Sequence, residues 1–345
     1  MIISKVSIVK GEDRKENIIN AISLIKADIA ETIKTKKSKK LFIKINAIDS
    51  NFPLACTHID ALEAVLSIFY SKFNEIIVGD NTFVFTKYKG GIYKNILKKF
   101  PKIILSDLTE FESDNIEFKT LTGKCTGKVS LLPRNAFTIS LALPKTHDTF
   151  VYTGCLKNMF GCVVENRGSL HAMNLYNRMF LNKYAKSNLL KWQNLIEVIE
   201  KTKPDLCILD GYEGMEGNGP MFGTKVDLGL AICSLDGINL DKIAAKICGF
   251  DYVPYLSLLS DKNQRDAEII IKGFNNLDEI SKKFKPHYNY KYQITTKTDF
   301  FPLLDVKLFL SLLKRSYRLR DKILSKIIKT NSTPLCLPNS KDLNT

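Results

Sequence analysis

The chain predicts an α/β fold: a mostly parallel or mixed sheet with helices on both faces, then an amphipathic helical extension at the C-terminus. Three observations carry this expectation. Short apolar runs of strand length alternate with segments whose apolar residues recur at helical spacing, the signature of βαβ units. Two strand-like runs end abruptly in polar residues, Glu75–Val78 in Gly79-Asp80-Asn81 and Phe137–Leu143 in Pro144-Lys-Thr-His147, and strand ends are where open α/β sheets place their ligands. A composition of 45% hydrophobic and 25% charged residues over 345 residues is that of a chain able to bury a large core.

In order, Ile2–Val9 alternates as a first strand, and Glu12–Ile33 carries Ile18, Ile22, Ile25 and Ile29 at helical spacing as one amphipathic helix. A basic connector, Lys34–Lys40, leads to a strand at Leu41–Ile45, a helix from about Asp60 to Tyr70, and the strand Glu75–Val78. Gly90–Phe100 reads as helix and Lys102–Leu105 as strand. Glu117–Leu143 reads as β-rich, with a turn at Gly123-Lys-Cys-Thr-Gly127. Ser187–Lys201 is a helix, Leu206–Asp210 a strand, Gly211–Gly223 a glycine-rich loop, Leu228–Cys233 a strand and Leu240–Cys248 a helix. Asp266–Lys272 and Leu277–Phe284 are expected to dock on this core. The division is a core over 1–275 and a basic helical extension with a loose tail over 276–345.

Lys and Arg exceed Asp and Glu by 51 to 36, a net charge of +15. Most of the excess is lysine dispersed among Ile and Asn, so it permits nucleic-acid contact without favouring it. The basic segment Phe300–Lys329, with Arg315, Arg318 and Arg320 among its cations, is of the kind that docks on its own core with the charged face in solvent, or else lies on an anionic membrane surface. No apolar stretch approaches the roughly 20 residues of a spanning helix, and the N-terminus is too punctuated for a signal peptide, so the expected compartment is the cytoplasm. The eight cysteines include no Cys-x-x-Cys pair, the usual spacing of zinc ribbons and iron–sulfur modules. Cys155 and Cys162 are expected to be packing residues, like Cys207 and Cys233 in their apolar runs.

Four constellations carry chemistry. Cys56-Thr57-His58 with Asp60 precedes a helix; Thr57 or Asp60 would cap it, with Glu63 completing a capping box, while His58 is a candidate proton carrier. Asp80 sits at a strand end, either as a turn former or as a metal- or hydroxyl-binding carboxylate. The densest segment is Pro144–Gly161: Lys145 and Lys157 suit a carboxylate or phosphate, Thr153 and Asn158 add polar contacts, and Gly154 lets backbone N–H groups approach. His147 is the candidate general acid/base, helped by His58 and Lys145. In Asp210–Gly223, five glycines (Gly217 and Gly219 among them) suggest a backbone bent around a ligand, and Asp210, Glu213 and Glu216 offer oxygen ligands. With Asp80, the carboxylates Asp210 and Glu216 form the candidate set for a divalent metal.

These segments recur in a recognisable order: Ala55-Cys-Thr-His-Ile-Asp-Ala-Leu-Glu-Ala64, the strand ending Gly79-Asp80, Pro144-Lys-Thr-His147, Thr153-Gly-Cys-Leu-Lys-Asn-Met-Phe-Gly161, the 210–223 segment, Ser234–Phe250 and Ile269-Ile-Ile-Lys-Gly273. Together they resemble the family named domain of unknown function 362, also labelled Fe–S center protein, over about residues 1–275. The iron–sulfur label belongs to members with a ferredoxin-type cysteine module; this chain has none, so no cluster is carried over. The leading reading is an enzyme or ligand-binding domain for a small anion, with a divalent metal as a candidate cofactor. A membrane- or nucleic-acid-binding protein and a redox partner are the alternatives.

Overall fold

A computed structural model describes residues 2–49, 51–81, 91–120, 123–166, 184–263 and 267–294. The expected amphipathic helix over 300–329 lies outside the described residues.

The strands are β1 (Ile2–Lys10), β2 (Lys40–Lys44), β3 (Glu75–Asp80), β4 (Ile103–Asp107), β5 (Ser113–Thr120), β6 (Gly123–Ser130), β7 (Phe137–Ala142), β8 (Lys145–His147), β9 (Val151–Thr153), β10 (Val163–Glu165), β11 (Leu206–Glu216), β12 (Thr224–Ser234) and β13 (Ala267–Lys272). The main helices are α1 (Arg14–Ser23), α2 (Lys26–Lys36), α3 (Ile59–Phe69), α4 (Tyr184–Thr202), α5 (Gly237–Ile247) and α6 (Pro254–Asn263), with single helical turns including Cys155–Asn158. The large sheet runs β13-β1-β12-β11-β7-β2-β3-β4, and the short hairpin β8–β9 hangs from β11. Neighbours pair in parallel except at β12, which is antiparallel to both β11 and β1. A three-stranded sheet, β10-β6-β5, is separate.

Strand side chains alternate between two cores, as the pleat demands. Leu41, Ile43, Ile76 and Val78 belong to the core under α1, α2 and α3. Phe42 and Ile77, one residue out of step, belong to the opposite core with α4, α5, α6 and the small sheet. The sheet is therefore covered on both faces, which is why its central strands read as continuous apolar runs.

Strand order also locates a crevice. From β2 the chain proceeds outward to β3 and β4, then returns to lay β7 on the other side of β2. The connection after β2 runs through α3 on one face, and that after β7 runs through α4 on the other. Diverging connections leave a gap outside the carboxyl ends of β2 and β7, the topological switch point of an open α/β sheet.

Three expectations are corrected. The helix over Glu12–Ile33 is two helices, because Ile25 leaves helical geometry (φ −125°, ψ 22°) while both pieces keep their apolar sides on the core. Gly123–Gly127 is not a turn but part of β6, paired residue by residue with β5. The stretch from Gly211 to Glu216 is strand: β11 continues through it, with a register shift between Gly211 and Glu213, paired to β12. Its glycines serve contact, not flexibility; at Gly214 the Phe284 ring lies where a side chain would begin. Beyond β13, residues 277–293 stay on the core through Ile280, Phe284 and Gln293.

Arg14 ties α1 to this extended strand, with Nε 3.3 Å from Asp210 and a guanidinium nitrogen 2.5 Å from Glu213. Burial lifts the Asp210 carboxyl to about 6 against the pull of Arg14. Arg14→Met should destabilise by about 3–5 kcal/mol where Asp210 is ionised, since it leaves an uncompensated buried charge. Protonation relieves that charge, so urea midpoints should show a larger loss at pH 8 than at pH 5.

Candidate functional site

The crevice at the switch point is a cavity of about 60 Å³ lined by Lys44, Asn46, Ile48, Asp80, Leu143, Lys145, His147, Thr153, Gly154, Lys157, Asn158, Phe160, Gly161 and Pro220. It gathers the residues following β2, β3 and β7, the β8–β9 hairpin, the Cys155–Asn158 turn and the β11–β12 loop.

Its floor is an ion pair. Lys44 Nζ lies 2.7 Å from Asp80 Oδ1, and both side chains are almost wholly buried, at 1% and 4% exposure. Register puts them there: Lys44 pairs with Gly79 on the neighbouring parallel strand, one residue before Asp80. A buried pair is sound only when its remaining donors and acceptors are met. Lys44 Nζ also donates to Ile45 O (2.7 Å) and Asn158 Oδ1 (3.3 Å), and Asp80 accepts from the backbone N–H groups of Ala47 (2.9 Å) and Asn81 (2.8 Å). Asn158 in turn donates to Lys44 O (2.9 Å) and Ser140 Oγ (3.1 Å). Gly161 closes over the pair, and a Cβ there would stand 2.2 Å from Asp80 Oδ1 and 2.5 Å from Lys44 Nζ.

Lys145 is held differently. It is 2% exposed, its Nζ donates to Ala55 O at 2.8 Å, and among the described residues no carboxylate lies within ion-pair distance. Burial, with Lys44 nearby, pushes its ammonium down from 10.5 to about 8. A lowered folded-state pKa means the ammonium costs stability below pH 8 and ceases to do so above 10.5.

His147 lines the cavity with Nδ1 engaged by its own loop, 2.9 Å from Asp148 Oδ1 and 3.0 Å from the Thr149 N–H. Burial, aided by Lys157 and Lys145 and opposed by Asp148, pushes the imidazole down to about 4. The expected near-neutral acid/base is thus a neutral imidazole at pH 7, unable to act there as an imidazolium acid. The loop is braced from outside: Gln293 Nε2 donates to His147 O and Asn289 Nδ2 to Asp148 O, each at 2.8 Å, and Trp192 Nε1 to Thr149 O at 3.3 Å.

The expected residues divide accordingly. Lys145, His147, Thr153, Gly154, Lys157, Asn158 and Asp80 share the cavity. His58 does not; it is the N-cap of α3, its Nδ1 accepting from the Asp60 N–H at 3.1 Å, so the cap falls to His58 rather than to Thr57 or Asp60. The metal set does not form. Asp80 is committed to Lys44, Asp210 to Arg14, and Glu216 to the Lys285 N–H at 2.8 Å. Among the described residues, no three His, Cys, Asp or Glu side chains converge to hold a metal ion. Gly217 and Gly219 brace β8 instead of lining the cavity: Thr146 Oγ1 donates to Gly217 O (3.0 Å), and Gly219 packs on Thr146. The backbone N–H groups after Gly154 are occupied, those of Cys155 and Leu156 donating to the buried carboxylate of Asp241 on α5, each at 2.8 Å. Cys155, Cys207 and Cys233 are buried free thiols, and Cys162 is buried in the same core as Cys155. Sequence reasoning missed Lys44, Gly161 and Asp241.

The model of the family described as Domain of unknown function (DUF362) matches residues 41–246, more than half of the chain. The chain belongs to that family. A thylakoid-associated protein of Synechocystis is 34% identical over 113 residues, which are 33% of this chain and 32% of that protein. The apoprotein of lactate racemase from Thermoanaerobacterium thermosaccharolyticum is similar at 14% identity and a TM-score of 0.40, over 63% of this chain and 51% of that one. The chain therefore spans about a third and about half of these two relatives. Among the described residues, no helix is long and apolar enough to cross a membrane.

Asp241 gives a pH prediction. Burial, against its two N–H donors, raises its carboxyl from 3.8 to about 7. A raised carboxyl binds its proton in the folded state across that interval, so its contribution to stability is full below 3.8 and lost as pH rises to 7. The slope approaches about 1.4 kcal/mol per pH unit. Asp241→Asn removes the titration, so the advantage of wild type over the variant, read from urea midpoints, should be clearly larger at pH 5 than at pH 8.

Proposed function

We propose that the protein binds a small anion, a carboxylate or phosphate, in the cavity at the carboxyl ends of β2, β3 and β7, as an enzyme or ligand-binding domain. One observation carries this reading: the lining holds three lysines (Lys44, Lys145, Lys157) against one aspartate, and that aspartate is committed to Lys44. A lysine buried without a carboxylate is costly, and an anion in the cavity offsets that cost by supplying the missing charge.

The same reasoning ties stability to binding. Lys145→Met removes a buried charge while keeping most of the side chain's bulk, so it should raise the thermal midpoint at pH 7. It should also weaken stabilisation by acetate or inorganic phosphate about tenfold or more, the effect of losing about 1.4 kcal/mol. Acetate keeps its charge between pH 7 and 9.5, so wild-type stabilisation by acetate should fall across that range as Lys145 loses its proton. Thermal shifts in acetate and phosphate series measure all three effects. Equal anion stabilisation in wild type and Lys145→Met would overturn the reading.

A further inference from the structure

We propose that Lys145 is a nucleophile that captures the carbonyl carbon of a small 2-oxo carboxylate as an imine; this rests on the anion-binding reading above and specifies its ligand.

Two lysines lining one cavity are held in contrasting ways. Lys44 is ion-paired with Asp80 at 2.7 Å. Lys145 has a backbone carbonyl, Ala55 O at 2.8 Å, as its acceptor, and among the described residues no carboxylate pairs with it. A carbonyl acceptor orients one N–H whether the amine is charged or neutral, whereas a carboxylate would hold the proton in place. With the Lys145 ammonium near 8, the neutral, nucleophilic fraction at pH 7 is on the order of a tenth, several hundred times that of an ordinary lysine. Desolvation next to a second cation is how amine nucleophiles are activated.

The cavity also selects its occupant. Its 60 Å³, about twice a water molecule's share of the liquid, admits only a ligand of a few heavy atoms. Lys157 in the same lining supplies charge for a carboxylate beside the captured carbonyl, and Ile48, Leu143 and Phe160 give the apolar wall that restrains hydrolysis. The step balances without oxidant or reductant. The Lys145 nitrogen lone pair forms the C–N bond, the carbonyl π pair passes to oxygen, and that oxygen departs as water with the two protons of the amine, leaving C=N.

The test is reductive trapping on the full chain: pyruvate with cyanoborohydride between pH 6.5 and 9.5, followed by intact mass and peptide mapping. One adduct of reduced pyruvate should map to Lys145, be suppressed by excess acetate, and be absent from Lys145→Met and Lys145→Arg. Its rate should rise with pH and level off just above 8, where an exposed lysine would still be climbing. If acetate and phosphate stabilise the wild type but no adduct maps to Lys145, or adducts scatter over surface lysines, imine capture is overturned and the anion site stands. If neither stabilisation nor adduct is seen, the anion reading falls and the imine with it.

Discussion

The ion pair between Lys44 and Asp80 joins the ends of β2 and β3 at the point where the chain's connections diverge, and the surrounding site is arranged to keep it intact. Asn158 bonds the lysine's side chain and its backbone carbonyl, the backbone after β2 bonds the aspartate, and Gly161 supplies the one residue type that fits over both. A buried pair of this kind contributes little net stability, because desolvating two ions roughly cancels their attraction. Its consequence is geometric. It fixes the Cys155–Gly161 segment against the sheet and uses up the one carboxylate among the described lining residues, so among those residues Lys145 faces the cavity without an ion-pair partner.

That segment is held from its other end as well. Asp241 on α5 takes the first N–H groups of the Cys155–Asn158 turn, and the residues around Asn289 and Gln293 hold the loop after β8. Supports from distant parts of the chain therefore converge on the hairpin that carries Lys145, His147 and Thr153. Precise placement of a few polar groups needs this outer layer, since side chains on a short hairpin would otherwise sample several rotamers. The energetic result is a site less stable than it could be, with a buried ammonium at one wall and a buried carboxylate behind another.

Much of this was legible in the sequence. Alternating apolar runs gave the covered, largely parallel sheet, and Asp80 and Pro144–Gly161 stood out because polar residues directly follow strands. The same rule applied to Leu41-Phe-Ile-Lys44 would have found Lys44, which instead passed as one more lysine in a lysine-rich chain. Asp241 left no local signal: it sits mid-helix between Leu240 and Lys242, and its partners are backbone groups more than eighty residues away. The 211–223 segment misled for a physical reason. Glycine reads as flexibility in a sequence, whereas Gly214 is there because Phe284 leaves no room for a side chain. His147 lines the cavity, but its burial, which decides its protonation, is a tertiary property.

The site turns on the protonation equilibrium of Lys145, and ε-¹³C-labelled lysine followed by NMR measures it directly, with Lys145→Met assigning the resonance. Lys145 should titrate near 8 in the free protein and at higher pH in saturating acetate, because a bound anion favours the ammonium. Titration at the ordinary 10.5, unmoved by acetate, would contradict the account.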